Sequence, residues 1–265
     1  GIQLAGGISV AVYATNPPEQ CAYVLGHSEA RVFFVENEEQ LDKALLIRSQ
    51  LPHLRTIVVM DPKGLEGFED PQVMSLEELR VLGRESCDAA VLEARIRGIS
   101  EEDVAVLLYT SGTTGPPKAA MLTHRNLLWT AQALGAANPL LPADTALSFL
   151  PLAHIAERML SIYLPLVWGY TVHFAESLDT LFQNLQEVRP TILLAVPRLW
   201  EKLYAQVELH MQGVDFLKRS AYRAAVRVGR RYALARLARK RIPASLHIAH
   251  ALSELLVLRP LRRRL

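Results

Sequence analysis

Apolar residues along this chain fall alternately into short β-branched runs and stretches with helical spacing. Residues 8–13, 31–35 and 56–60 are compact apolar runs bounded by turn residues, which predicts buried strands. Between them, residues 19–28 place Ala22, Leu25 and Gly26 on one helical face. Residues 38–51 do the same with Leu41, Ala44, Leu45 and Arg48. Strand and helix alternate over such short connections that a parallel sheet covered by helices is expected. The first residues, ahead of the Gly6-Gly7 break, read as the end of a helix. Residues 61–103 are more polar and carry Pro62, Gly64, Gly67 and Pro71, so they predict a surface connection with one helix around 76–82.

The pattern resumes sharply at residues 104–109, another buried strand, followed by a second strand over 119–122. Thr123 reads as the N-cap of a helix running to about Ala137. Further on, 145–150, 170–174 and 191–196 predict strands, the last of them buried. Residues 161–168 and 178–188 predict helices, the second with Leu181, Leu185 and Val188 inward. Pro197 ends the last of these strands, and Trp200 heads a helix and is assigned to the core.

The two strands at 104–109 and 119–122 enclose Thr110, Ser111, Gly112, Thr113, Thr114, Gly115, Pro116, Pro117 and Lys118. Four hydroxyls, two glycines and one lysine suit a phosphate ligand. The glycines let backbone amides turn toward an anion, the hydroxyls donate to its oxygens, and Lys118 adds a mobile positive charge. The two prolines restrict the loop's exit before any ligand arrives. The spacing differs from the nucleotide-triphosphatase loop, which needs a second Gly where Pro117 stands and a helix rather than a strand afterwards.

The run YTSGTTGPPKAAMLTHRN resembles the signature of the adenylate-forming enzymes: acyl-CoA synthetases, luciferases and peptide-synthetase adenylation domains. Ala119 departs from it, since relatives mostly carry Gly there. The resemblance to long-chain acyl-CoA synthetases extends through GGISVAVYATNPPEQCAYVLGHSEARVFFVENEEQ, LPLAHIAER and VRPTILLAVPRLWEKL. It implies an α/β fold of layered mixed and parallel sheets flanked by helices, here an incomplete N-terminal domain of the adenylate-forming fold. It also implies that Thr110, Ser111, Gly112, Thr113, Thr114, Gly115 and Lys118 hold the triphosphate of ATP, with Mg²⁺ on the phosphates and CoA as the later acceptor. His154 is implied beside the acyl carbonyl or the adenylate, and the substrate would be a fatty acid. Glu157 and Arg158 read as a local ion pair, and the tryptophan gate some fatty-acid relatives carry near this point is missing.

Composition and charge add to this picture. With half its residues hydrophobic and 21% charged, the chain is globular rather than disordered, and no apolar stretch reaches the roughly 18 residues of a spanning helix. Its two cysteines, Cys21 and Cys87, show no metal-ligand spacing and fit a reducing, cytoplasmic compartment. The acid cluster Glu101-Glu102-Asp103 reads as a solvated edge rather than a metal site. Net charge is only +2, yet residues 1–215 carry 15 Lys/Arg against 26 Asp/Glu, whereas 216–265 carry 14 against Glu254 alone. Residues 216–242 predict a basic helix with Tyr222, Val226, Ala233 and Leu237 on its apolar stripe. Such a helix either pairs with the acidic body or meets an anionic membrane peripherally. Aromatic residues are too sparse there for nucleic acid.

The chain begins at Gly1-Ile2 as if in mid-domain and reads as one partial adenylation domain, 1–265, with 216–265 a basic helical segment. The Tyr-Gly-x-Thr-Glu and Thr-Gly-Asp motifs of the family do not occur in it, and its C-terminal domain with the catalytic lysine is expected to be absent. The expectation is a piece of a long-chain fatty-acid–CoA ligase, inactive alone. The alternatives are another acyl-AMP ligase or a non-catalytic basic lipid-binding fragment.

Overall fold

The computed structural model describes residues 1–110 and 115–262. The chain forms two compact units: Gly1–Leu140 with Leu150–Gly169, and Leu141–Phe149 with Tyr170–Leu265. The first unit holds β1 (Ser9–Val10), β2 (Val32–Val35), β3 (Thr56–Val59), β4 (Val73–Ser75), β5 (Val104–Thr110) and β6 (Lys118–Thr123). The second holds β7 (Thr145–Ser148) and β8 (Thr171–Phe174).

In the first unit β2, β3 and β4 form a parallel sheet with β3 at its centre. Ile57, Val58 and Val59 are excluded from solvent, as a strand covered on both faces requires, and this explains the unbroken apolar run. The helices Pro18–His27 and Glu38–Ile47 place Cys21, Leu25, Leu41, Ala44 and Ile47 in one cluster with Ile57 and Val59. Asn37 caps the second helix by accepting from the Gln40 N–H at 3.2 Å. Leu41 and Ala44 face inward as expected, but Ile47 completes the stripe, while Arg48 turns away to pair with Asp70 at 2.6 Å. Leu41→Ala would open a cavity costing roughly 2–5 kcal/mol.

Three expectations need correction here. The opening strand is reduced to Ser9–Val10, and a hydrogen-bonded turn, Ala5 N–H to Gly1 O, replaces the helix end. Residues 61–103 are more than a connection, because β4 joins the sheet and two helices follow, Leu76–Ser86 and Ala89–Gly98. Ser75 and Glu78 close a capping box at the first helix, and neither helix buries a residue, so Val81, Leu82, Val91, Leu92 and Ile96 lie exposed.

A second sheet runs β1–β5–β6, with β1 parallel to β5 and β6 antiparallel to it. Ala105 and Val106 are its buried centre. Thr123 caps the helix His124–Ala137, with Asn126 returning the bond to the Thr123 N–H. Arg125 on its first turn bridges Glu101 and Glu102 at 2.6 and 2.7 Å, so part of the acid cluster ties this helix to the turn that leads into β5. Gly135 is required there. A Cβ at that position would collide with the Trp168 ring, whose Nε1 donates to Ala131 O at 3.0 Å. Residues 155–168 are helical throughout, with a π-helical segment, Met159–Tyr163, in the middle.

In the second unit β7 pairs with β8 in parallel, Thr145 opposite Thr171. The buried strand expected over 191–196 does not form. Only Ile192 makes a bridge, to Ala146, and the segment is partly exposed. Pro190 and Pro197 bracket it, and neither can donate to a ladder. Trp200 is likewise not core: it lies 50% exposed on the helix Pro197–Gln212. The basic helix spans Phe216–Leu237, shorter than 216–242, and packs through Tyr222, Ala225, Gly229 and Tyr232. Val226, Ala233 and Leu237 are exposed, so the expected stripe is wrong after Tyr222. Its partner is the helix Ala244–Ser253, where His250 stacks on Tyr232 at 3.9 Å and His247 meets its edge.

Candidate functional site

The β5–β6 ladder runs in register from Tyr109 opposite Ala119 to Thr110 opposite Lys118, so the loop springs from a paired, fixed base. Thr110 and Lys118 are both exposed at its mouth. Gly115 holds φ +98°, a left-handed conformation that L side chains rarely adopt, and it therefore needs glycine. Ser111, Gly112, Thr113 and Thr114 lie outside the described residues. The structure thus brings together Thr110, Gly115 and Lys118 from the expected set.

His154 stands at the N-cap of the helical stretch that follows β7, exposed, with Nδ1 accepting from the Ala156 N–H at 3.2 Å. In the neutral ring this leaves the proton on Nε2, a donor able to meet a carbonyl or carboxylate oxygen. His154 and Thr110 line one pocket of about 530 Å³, together with Tyr13, Tyr23, Tyr109 and Pro117. All six belong to the first unit. Its lining is mostly apolar and aromatic, with Asn16, Glu19, Gln20, Thr110 and His154 supplying the polar groups, which suits a small, largely apolar ligand held by a few polar contacts.

The segment carrying His154 is anchored by its neighbours. Arg158 donates from Nε to Leu152 O at 3.0 Å and from Nη1 to Ser9 Oγ at 2.8 Å, which ties the turn to β1. Glu157 is fully buried and accepts from Ser161 Oγ at 2.6 Å, while its other oxygen has no hydrogen-bond partner. The two residues form no ion pair with each other, contrary to expectation, because each side chain is engaged elsewhere.

A further group of residues, unmarked in the sequence, holds the two strand ends. Tyr23 donates to Pro117 O at 2.9 Å, and His27 Nδ1 lies 2.8 Å from the Tyr109 hydroxyl. Burial raises the Tyr109 phenol above its ordinary value. Tyr23 and His27 are one helical turn apart on Pro18–His27, the only regularity that could have paired them. Nothing in the sequence links that turn to residues about ninety positions later.

Known proteins resemble this chain over most of its length. The family model described as AMP-binding enzyme matches residues 1–254. Human long-chain-fatty-acid–CoA ligase ACSBG2 is 38% identical over 234 residues, covering 86% of this chain and 34% of that protein. The Xenopus laevis ACSBG2 ligase is also 38% identical, over 78% of this chain and 29% of its own length. Among solved structures, the long-chain-fatty-acid-CoA ligase FadD1 from Archaeoglobus fulgidus superposes with a TM-score of 0.58 at 24% identity, over 78% of this chain and 38% of that one. The chain therefore spans about a third of the length of these relatives. With its hairpin, its loop sequence and nearly its whole length matched, the chain belongs to the AMP-binding enzyme family.

Proposed function

We propose that this chain forms the triphosphate-binding part of a long-chain fatty-acid–CoA ligase. The observation that carries the reading is the hairpin: Thr110 and Lys118 face each other across the ladder, with Gly115 in the left-handed region between them. In the proposed reaction a fatty carboxylate attacks the α-phosphorus of ATP, pyrophosphate leaves, and the thiol of CoA then displaces AMP from the acyl-adenylate. Lys118 and the loop hydroxyls would hold the β- and γ-phosphates, neutralise the departing charge and keep the attack in line. His154 would donate from Nε2 to the acyl carbonyl or adenylate at the pocket wall. Among the described residues no cluster of three His, Cys, Asp or Glu side chains is placed to hold a metal, so Mg²⁺ would arrive on the phosphates and supply charge neutralisation there.

The Tyr-Gly-x-Thr-Glu and Thr-Gly-Asp motifs are not among residues 1–265, so the chain alone is expected to bind nucleotide without completing the reaction. The test is palmitate-dependent exchange of label between pyrophosphate and ATP. The chain alone should be silent, and a polypeptide extended through those motifs should exchange. Exchange by the chain alone would contradict the assignment of roles.

A second reading concerns the helix Phe216–Leu237. Its cations other than Arg219 are exposed, and among the described residues its only ion pair is Lys218 with Asp215 at 3.4 Å. Phe216, Leu217 and Leu237 project beside them, each about four-fifths exposed. No described helix is long and apolar enough to cross a membrane. This favours peripheral, cytoplasmic-side contact with an anionic lipid surface, from which a fatty acid would be drawn.

A further inference from the structure

The helix Pro18–His27 reaches both ends of the phosphate hairpin. Tyr23 donates to the carbonyl of Pro117, the residue just before Lys118, at 2.9 Å. His27, one turn further along, meets the hydroxyl of Tyr109, the residue just before Thr110, at 2.8 Å. The three rings pack on one another: Tyr23 stacks on His27 at 5.5 Å, and the Tyr109 ring stands nearly perpendicular to both, at 6.3 and 5.7 Å. The helix is itself fixed on the other sheet through Cys21 and Leu25, in the cluster built on Ile57. The two strand ends that carry Thr110 and Lys118 are therefore referenced to a rigid element outside their own hairpin.

We propose that Tyr23 and His27 are positioning residues for the triphosphate loop, Tyr23 fixing its exit and His27 its start through Tyr109. This rests on the reading of residues 110–118 as the phosphate site. A hairpin left to its own ladder can hinge where β6 begins, and each degree of freedom removed before binding is one the ligand need not freeze. Tyr23 also forms a wall of the pocket that contains His154, so the ring that anchors the loop touches the space where the second substrate would lie.

The test is calorimetric titration of Mg·ATP into the full chain and into Tyr23→Phe, Tyr109→Phe, Lys118→Ala and the Tyr23→Phe/Lys118→Ala double variant, with each melting temperature measured. Each single Phe substitution removes one oxygen and leaves the ring packing. Affinity should fall about three- to tenfold in each, because the ligand must then supply the ordering that the bond supplied, while any drop in melting temperature leaves the chain folded at the temperature of the titration. In the double variant the losses should fall short of their product, because both act on one loop. Unchanged affinity in both Phe variants while Lys118→Ala weakens binding would overturn the positioning role and leave the phosphate reading intact. Strictly multiplicative losses, or a loss seen only in melting temperature, would also overturn it. If Lys118→Ala binds as tightly as the unsubstituted chain, or that chain does not bind, the phosphate reading fails and the positioning role fails with it.

Discussion

Ser161 donates to Glu157 at 2.6 Å from one helical turn away, inside a region where Glu157 has no exposure to solvent. Among the described residues this is the carboxyl's one hydrogen bond, and its second oxygen has no partner. A buried polar group loses more when its one partner is removed than the bond itself contributes.

Ser161→Ala should therefore destabilise the chain by about 1–3 kcal/mol, more than an ordinary serine truncation. Glu157→Met, which removes the polar group altogether, should cost less. The double variant should be more stable than Ser161→Ala alone, since it leaves no stranded oxygen. Denaturant unfolding of the three variants checks this ordering.

Tyr222 gives a pH-dependent counterpart in the second unit. Burial, and then its hydrogen bond to Glu208 Oε1 at 2.9 Å, push its phenol up to about 12. The folded value lies above the unfolded one of about 10, so the stabilisation is complete below pH of about 10 and is lost as pH rises toward 12. In an ultraviolet titration one of the eight tyrosines should ionise about two units late, and that component should vanish in Tyr222→Phe.

The basic face yields a prediction independent of the phosphate loop. Vesicles containing phosphatidylserine should sediment with the chain at low salt and release it as salt screens the attraction. Lys118→Ala should bind them unchanged. Neutralising Arg223, Arg227, Arg230 and Arg231 together should abolish binding. Binding equally to neutral vesicles would contradict the electrostatic reading.

The elements around the site were the most legible part of the sequence. A β-branched run, a Gly/Thr loop, a second short run and a threonine cap followed directly by its helix each carry a local signal, and β5, β6 and His124–Ala137 form where those signals lie. The misses share a different origin. β4 is three residues long and sits among prolines and glycines, so its pairing with β3 is decided by the sheet rather than by its own pattern. The run at 191–196 has strand composition but is paired only at Ile192. On the helix Phe216–Leu237 the ring partners of Tyr232 are His247 and His250, polar residues, so counting apolar positions missed Tyr232 and chose the wrong face after Tyr222. Tyr23 and His27 escaped notice because a hydrogen bond to a distant backbone carbonyl or hydroxyl leaves no periodicity to read.

That the hairpin between Thr110 and Lys118 holds the phosphates beyond the first is the assignment on which the proposed function rests. It is tested most directly by titrating Mg·ATP and AMP separately into the chain and into Lys118→Ala. The expected result is ATP affinity that falls at least about tenfold in the variant, as loss of a charge-assisted contact should produce, with AMP affinity unchanged. Equal weakening of both nucleotides, or no weakening of ATP, would contradict the claim.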